Sequence, residues 1–271
     1  QTSVARVIAV LNQKGGTGKT TTAVTLAAGL ASRNKRVLLV DADPQGSVSV
    51  ALGGQPKRGL YHVLADDVAL TAVMTQARPR LWVVAADRSL ALAELYLAER
   101  EDRWRALRGR LAAALDRFDC VFIDCAPSVS LMTHNALACA DELIVPVSCD
   151  FLALVGVKQV LRTVQQVNET LRHPIRILGV LPTFVDTRHR MGRQSVDALK
   201  AYFQDRLMPP VRVSASFKEA PSVGQTIFEY AKNGRGAADY AAVVDWVERR
   251  GVQSDVRTTT QSNRRHCSVV P

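Results

Sequence analysis

The sequence predicts an α/β fold: a three-layer arrangement in which helices cover both faces of a mostly parallel, twisted sheet. Short apolar runs alternate with stretches that carry apolar residues at helical spacing, and enough chain separates the runs for crossover helices. The runs are apolar at successive positions, which is typical of parallel strands buried on both faces. No run approaches the roughly 18 apolar residues that a membrane-spanning helix needs.

The predicted elements follow one another in a regular order. The predicted strands are Val4–Leu11, Arg36–Val40, Leu81–Ala85, Cys120–Ile123, Leu143–Val147 and Ile175–Leu181. The predicted helices are Thr20–Ser32, Leu92–Leu115 and Gly156–Leu171. Because the apolar periodicity stops after Arg250, we expect one domain over residues 1–250 and a disordered tail over residues 251–271. The tail has no amphipathic helical pattern, which argues against a membrane-anchoring helix.

The charge of the chain is uneven. The 271 residues carry a net charge of +10. Residues 1–170 hold 19 Lys and Arg against 16 Asp and Glu, a net of +3, and residues 171–271 hold 16 against 9, a net of +7. A basic half suggests a polyanionic partner, either nucleic acid or an anionic membrane, but charge that only keeps the protein soluble gives the same composition.

The cysteines do not form a metal-binding pattern. None belongs to a C-x-x-C pair, so no zinc site is expected. Most lie in or beside apolar strand-like runs, which favours buried reduced thiols in a cytoplasmic protein. The five are Cys120, Cys125, Cys139, Cys149 and Cys267.

The clearest functional signal is a glycine-rich loop between the first predicted strand and the first predicted helix. Its glycines allow successive backbone N–H groups to converge on phosphate oxygens, and the N-terminal dipole of the helix adds to this attraction. We expect Lys19 to reach the β- and γ-phosphates and the Thr20 hydroxyl to bind Mg²⁺. A plain glycine turn is the alternative. The predicted phosphate-binding residues are Gly15, Gly16, Thr17, Gly18, Lys19, Thr20 and Thr21.

Two predicted strands end in carboxylates. Asp41 and Asp43 follow the second strand, and Asp124 closes the run Cys120–Ile123 in the form of a Walker B motif. The carboxyl ends of parallel strands meet at the crevice where ligands bind in such sheets. We therefore expect Asp124 to hold Mg²⁺ through water. For Asp41 and Asp43, an Asx turn that caps the next helix is the alternative.

The loop departs from the ordinary phosphate-binding motif at one position. Gln13 stands where the motif has its first glycine, and Lys14 begins the loop instead. With this second lysine the loop resembles the deviant Walker A loop of the ParA/MinD class of P-loop ATPases. The resemblance implies that Lys14 reaches across a dimer to the partner's nucleotide, where another cation offsets the charge that develops on the γ-phosphate.

The resemblance continues along the chain. Residues 41–46 match the D-x-D-P-Q-G segment of the class, which implies that Asp43 orients the attacking water and that Asp41 supports the Mg²⁺ shell. The strand end Leu181–Phe184 is similar to one that lies near the base in the class, which implies base contacts for Pro182 and Thr183. Residues 219–227 resemble a segment of the ParA/Soj branch. Since 13 residues precede Lys14, we expect the short form, without an N-terminal helix-turn-helix domain.

The resemblance implies a partition ATPase that hydrolyses ATP to ADP and phosphate with Mg²⁺. Its ATP-bound homodimer would bind double-stranded DNA without sequence preference, and a ParB-type centromere-binding protein would stimulate hydrolysis and release. The protein would be cytoplasmic and nucleoid-associated, with no membrane partner. Sparse aromatic residues in the basic region favour contacts to a duplex backbone; a scattered solvated face is the alternative. The implied DNA-binding residues are Arg188, Arg190, Arg193, Lys200, Lys218, Lys232 and Arg235.

Two other functions are open within the same class. One is a MinD-like ATPase that regulates cell division at a membrane surface, against which the missing amphipathic tail argues. The other is a redox partner like the nitrogenase iron protein, which holds an iron–sulfur cluster across its dimer. The cysteines lack the flanking pattern of a cluster ligand, which argues against the redox function.

Overall fold

A seven-stranded sheet forms the centre of the structure, a computed structural model that describes residues 5–150 and 152–265, with side chains as far as Gly251. The strand order is β3-β4-β2-β5-β1-β6-β7. The pair β3–β4 is antiparallel and the other neighbouring pairs are parallel, which confirms the predicted mostly parallel sheet. The strands are β1 Arg6–Val10, β2 Val37–Ala42, β3 Thr75–Arg78, β4 Leu81–Val84, β5 Cys120–Cys125, β6 Glu142–Ser148 and β7 Arg176–Thr183.

Helices cover both faces of this sheet. Successive residues of the central strand β1 alternate between two cores: Val7 and Ala9 pack into one, and Ile8 and Val10 pack into the other. This alternation explains why the strand is apolar at successive positions from Val7 to Val10. The helices are α1 Lys19–Ser32, α2 Ser47–Ala51, α3 Leu60–Ala65, α4 Leu70–Val73, α5 Leu90–Ala98, α6 Ala106–Ala112, α7 Leu131–Cys139, α8 Ala153–Leu171, α9 Arg190–Phe203, α10 Ser216–Ser222, α11 Ile227–Tyr230 and α12 Arg235–Arg265.

The single long helix predicted over Leu92–Leu115 is wrong. The chain forms α5 and α6 there, with a turn between them in which Arg105 N donates to Asp102 O at 2.7 Å. Both helices bury apolar residues, Leu97 at the end of α5 and Ala106 at the start of α6. On one continuous helix these residues, nine positions apart, would lie on opposite faces. The break allows both to face the same core.

The last helix runs further than the sequence suggests. Its first part is anchored by buried residues such as Tyr240 and Val247, whereas the predicted tail begins at Gly251, inside the helix, and the helical backbone continues to Arg265. Once a helix is nucleated, each further residue adds a backbone hydrogen bond without needing an apolar stripe. The division into a domain over residues 1–250 and a tail stays a prediction, and residues 266–271 lie outside the described residues.

The packing of α1 against α12 depends on a glycine, which gives a test of the fold. A Cβ on Gly29 would lie 2.5 Å from Val244 Cγ2. We predict that Gly29→Ala destabilises the protein by about 1–3 kcal/mol, because overpacking outweighs the better helix propensity of alanine. Chemical denaturation of the nucleotide-free protein measures this difference.

The matched control is Gly109→Ala in α6. A Cβ on Gly109 would have no heavy atom within 4 Å. Only the propensity gain should remain there, so we expect a stabilisation of up to about 1 kcal/mol. Equal effects of the two substitutions would contradict the close contact between α1 and α12.

Candidate nucleotide-binding site

The glycine-rich loop lies between β1 and α1, at the carboxyl edge of the sheet. Gly16 and Gly18 have φ angles of +72° and +82°, in the left-handed region that favours glycine. A Cβ on Gly15 or Gly16 would meet nothing within 4 Å, whereas one on Gly18 would lie 3.0 Å from the Phe184 ring. The loop is therefore open on the side of Gly15 and Gly16 and closed beneath Gly18.

The two lysines of the loop have different surroundings. Lys19 is buried, lines the cavity above the loop, and donates from Nζ to the Lys14 carbonyl at 3.2 Å. Burial lowers the pKa of Lys19, although the carboxylates of Asp124 and Asp43 partly offset this effect. The Lys14 side chain is 48% exposed and pairs with Asp150 instead. Lys14 is thus directed away from the cavity that Lys19 enters.

Buried polar side chains hold the loop in place. Asn12 Oδ1 accepts from Lys14 N at 3.0 Å, and Asn12 Nδ2 donates to the Pro146 carbonyl at 2.7 Å. Thr183 Oγ1 donates to the Thr17 carbonyl at 2.8 Å. Sequence reasoning missed Asn12, although a polar residue directly after a buried apolar strand is a signal for such an anchor. These contacts fix the loop to β6 and β7.

The two acidic strand ends meet beside the start of α1. The register of β2 and β5 places Asp41 next to Asp124. Thr20 Oγ1 donates to Asp124 Oδ2 at 2.6 Å, while Asp124 Oδ1 is buried without a hydrogen-bond partner among the described residues. Burial raises the pKa of Asp124 to about 7, with the Asp43 charge acting in the same direction and the Thr20 hydrogen bond opposing both.

A divalent cation fits this arrangement. An unpartnered carboxylate oxygen beside a hydroxyl is costly without a counter-charge and would be satisfied by a hard cation. Mg²⁺ keeps several waters and takes substrate phosphates as ligands, so it does not need a full cage of protein ligands. The described residues contain no cluster of three or more His, Cys, Asp or Glu suited to a metal. Thr20 and Asp124 are the residues that would hold it.

Asp41 has a second role in the structure. It is fully buried, and its two oxygens accept from the backbone N–H groups of Asp43 at 3.0 Å and Val48 at 3.2 Å. Burial and the neighbouring Asp124 charge raise the pKa of Asp41 well above its usual range. Asp43 in turn accepts from Gln45 N at 2.9 Å. Both residues therefore form Asx turns, but only Asp41 reaches α2, through Val48. The predicted roles of Asp41 at Mg²⁺ and of Asp43 at the attacking water stay predictions.

A cavity of about 580 Å³ lies above the loop, a size typical of sites for small molecules. Pro182 and Thr183, the predicted base contacts, are buried in β7 and are not among the residues that line it, so base contact by these two residues stays a prediction. Asp43 and Pro127, which follow β2 and β5, line it on one side of the loop, and Phe184, which follows β7, lines it on the other side. Sequence reasoning did not assign the other lining residues beyond β7 to the nucleotide, namely Val213, Ser214, Phe217 and Lys218.

Part of the predicted DNA-binding set shares one helix face. Arg190, Arg193 and Lys200 project from the solvent side of α9, whereas Gly192 and Leu199 on its other side are buried. Of the remaining residues, Arg188 pairs with Asp186, Lys232 and Arg235 are exposed near the start of α12, and Lys218 lines the cavity.

The described cysteines are free thiols. Cys120, Cys125 and Cys139 are buried, and Cys149 is half-buried. Burial raises the pKa of Cys120 and of Cys149 to about 12, which keeps these thiols protonated. Cys267 lies outside the described residues.

The sheet order, the glycine loop and the two acidic strand ends define a P-loop nucleotide hydrolase with the two-lysine loop of the deviant Walker A kind. None of the described helices is long and apolar enough to cross a membrane. A family model described as an AAA domain matches residues 5–177.

Comparisons with individual proteins narrow the class. The chain is 39% identical to the sporulation initiation inhibitor protein Soj of Bacillus subtilis (strain 168), over 91% of this chain and 99% of that protein. It is also 39% identical to the chromosome partitioning protein ParA of Caulobacter vibrioides (strain NA1000 / CB15N), over 87% and 91%. The chain therefore belongs to the Soj/ParA family of chromosome-partitioning ATPases.

A solved structure of a differently named protein shares the fold. Cobyrinic acid a,c-diamide synthase from Mycobacterium smegmatis, with a bound ATP analog and magnesium, has a TM-score of 0.77 to this chain. The two are 35% identical, and the match covers 89% of this chain and 93% of that one. The described fold is thus one that occurs with a nucleotide and magnesium bound.

The raised pKa of Asp124 gives a test of the site. Because the folded-state pKa of about 7 exceeds the value of about 3.9 of an unperturbed aspartate, the folded protein binds the extra proton, and stability falls as pH rises from about 4 to 7. In the wild type, the free energy of unfolding should fall between pH 5 and pH 8. We predict that this fall is smaller by at least about 1 kcal/mol in Asp124→Asn. Urea denaturation in EDTA, without nucleotide, measures this change.

Asp116→Asn is the control for this experiment. Asp116 is exposed and precedes β5, at the opposite edge of the sheet. This substitution should leave the pH dependence as in the wild type. The same pH dependence in the Asp124 variant would mean that the carboxylate is not confined in a costly environment.

Proposed function

We propose that this protein is a DNA-partitioning ATPase in which ATP binding drives formation of a dimer that binds double-stranded DNA without sequence preference. Hydrolysis, stimulated by a ParB-type centromere-binding partner, then releases the DNA. The observation that carries the proposal is the division between the two loop lysines: Lys19 lies inside the nucleotide cavity, and Lys14 lies outside it.

The inner part of the site supports ATP binding and hydrolysis. The open loop at Gly15 and Gly16 suits phosphate oxygens, and the buried Lys19 supplies a positive charge beside them. Mg²⁺, when bound, neutralises charge on the phosphates. Asp43 lines the cavity on a turn held by Asp41, a position suited to orienting a water for attack on the γ-phosphate. The related M. smegmatis protein binds an ATP analog with magnesium, which supports the same ligands here.

The outer lysine supports the dimer. In one chain alone, Lys14 pairs with Asp150, and both side chains are close to half exposed. Such a pair contributes only about 0–1 kcal/mol, because water screens it. A triphosphate carried by a second subunit offers Lys14 a stronger counter-charge. The contact with Asp150 is therefore one that nucleotide-dependent dimerisation can replace.

The face of α9 supports DNA binding. Arg190, Arg193 and Lys200 lie on one exposed side of the helix, and residues 171–271 carry +7 of the net charge. Ser195 Oγ in the same helix donates to the Asp150 carbonyl at 3.0 Å. Helix α9 is therefore bonded to the residue that pairs with Lys14. A dimer doubles the number of basic side chains, and each phosphate contact adds about 0.9 to the salt dependence of binding. Association with the nucleoid follows from such binding.

The proposed switch is tested by DNA binding with ATP, with ADP and without nucleotide. We predict that Lys14→Ala reduces ATP-dependent DNA binding to the level seen with ADP, because the second subunit's triphosphate loses its outer cation. Affinity for ATP in the variant's own site should change by less than about threefold, since Lys14 does not line that cavity. Fluorescence anisotropy of a labelled duplex and titration of an ATP analog measure the two quantities.

Lys57→Ala is the matched control, because Lys57 is an exposed lysine on a loop away from the site. It should behave as the wild type in both assays. DNA binding that is indifferent to nucleotide in the wild type would refute the switch. If Lys14→Ala lost ATP and DNA binding together, Lys14 would act in its own site instead.

Asp43→Ala should separate binding from hydrolysis. We predict that the variant keeps ATP-dependent DNA binding and hydrolyses ATP at least about 100-fold more slowly, because the attacking water is no longer oriented. Phosphate release under stimulating conditions measures the rate, with Asp116→Ala as the control. A hydrolysis rate close to that of the wild type would remove Asp43 from the reaction.

A further inference from the structure

Lys218 stands apart from the other residues of the predicted DNA-binding set. Its side chain is exposed at the mouth of the nucleotide cavity, and besides Lys19 it is the only cationic residue that lines the described part of that cavity. Within the described part of the chain, no carboxylate pairs with its ammonium group and no acceptor binds it. An unpaired cation at the rim of a ligand cavity requires a different explanation from one on an open helix face.

The backbone that carries Lys218 is firmly held. Lys218 N donates to the Ala215 carbonyl at 2.9 Å in the first turn of α10. The preceding residue, Phe217, is buried, with its ring centroid 5.6 Å from that of Tyr240 and 5.8 Å from that of Phe184. The aromatic contacts fix the position from which the Lys218 side chain projects.

Different residues line the two sides of the cavity. The strand order places β2 and β5, which precede Asp43 and Pro127, on one side of β1, and β7, which precedes Phe184, on the other side. The Phe217 ring lies 5.8 Å from that of Phe184, so the segment that carries Lys218 lies on the side of Phe184. A nucleotide with its phosphates on the loop and its γ-phosphate towards Asp43 would direct its sugar and base towards Phe184 and Lys218.

We propose that Lys218 binds the nucleoside end of the nucleotide and contributes to nucleotide affinity rather than to DNA binding. The inference rests on the proposed function only in taking a nucleoside triphosphate as the ligand. An ammonium group has three donors and no acceptor, so its ligand is an acceptor: a ribose oxygen or a ring nitrogen of the base. Because the contact is present both before and during hydrolysis, it adds to binding without speeding the chemical step.

The test compares Lys218→Ala with the wild type in binding a non-hydrolysable ATP analog, ADP and inorganic tripolyphosphate, each with Mg²⁺. We predict about tenfold weaker binding of both nucleotides, the size of one charge-assisted hydrogen bond, and unchanged binding of tripolyphosphate. In hydrolysis assays KM should rise and kcat should stay close to the wild-type value. DNA binding at saturating ATP should keep its affinity and salt dependence.

Two further variants make the result specific. Lys218→Arg keeps the charge and should restore most of the nucleotide affinity, whereas Lys57→Ala removes an exposed lysine elsewhere and should have no effect. Circular dichroism and the unfolding midpoint check that each variant is folded. Recovery by arginine with no effect at position 57 would assign the loss to the cation at the cavity.

Three outcomes would overturn the inference. Unchanged nucleotide affinity with weaker DNA binding, and a salt slope lower by about 1, would return Lys218 to the DNA-binding set. An equal loss for tripolyphosphate would make a phosphate its ligand. Unchanged binding of every ligand would leave it a solvated lysine. If the wild-type protein itself bound no nucleotide, the proposed function would fail, and this result is distinguishable from all three.

Discussion

The charge of Asp124 is the constraint on which the rest of the site depends. This carboxylate is buried at the end of a central strand, with one oxygen on the Thr20 hydroxyl and the other without a partner. Burial of such a group is unfavourable unless a cation compensates it. The site is therefore less stable without a ligand, and the binding of a cation and phosphates stabilises it. Ligand binding is in this way coupled to the stability of the loop.

Buried hydrogen bonds hold the backbone of the glycine loop, whereas the side chain of Lys14 is held only by a partly exposed ion pair. Asn12 and Thr183 fix the backbone at the two ends of the glycine stretch through buried hydrogen bonds. Lys14 and Asp150, by contrast, form a partly exposed pair that water screens. Since Asp150 also accepts from Ser195 of α9, the exposed lysine and the basic helix meet at one short segment.

The sequence predicted those parts of the structure that short stretches of chain encode. The glycine loop with Lys19 and Thr20 is contiguous, and a strand that ends in Asp can be recognised from its own residues. The part that Phe217 and Lys218 play in lining the cavity could not be predicted in this way, because Phe217 lies 33 positions from Phe184 and meets it only in the folded chain. The break between α5 and α6 was missed for a similar reason: good helix formers stand on both sides of it, and the tertiary contacts of Leu97 and Ala106 decided where the helix ends.

Positive charge does not by itself distinguish one polyanion from another. A triphosphate and a DNA backbone both attract lysine and arginine, so a count of basic residues in residues 171–271 placed Lys218 with Arg190 and Arg193. The shape of the surrounding protein surface distinguishes a residue that suits a nucleotide from one that suits DNA. A duplex needs an exposed convex face such as the solvent side of α9, whereas a nucleotide needs a concave site with aromatic walls. Lys218 lies at the concave site. The cationic residues of this region therefore divide by the geometry around them, and this division is the basis on which we propose a nucleotide ligand for Lys218 and a DNA ligand for the residues of α9.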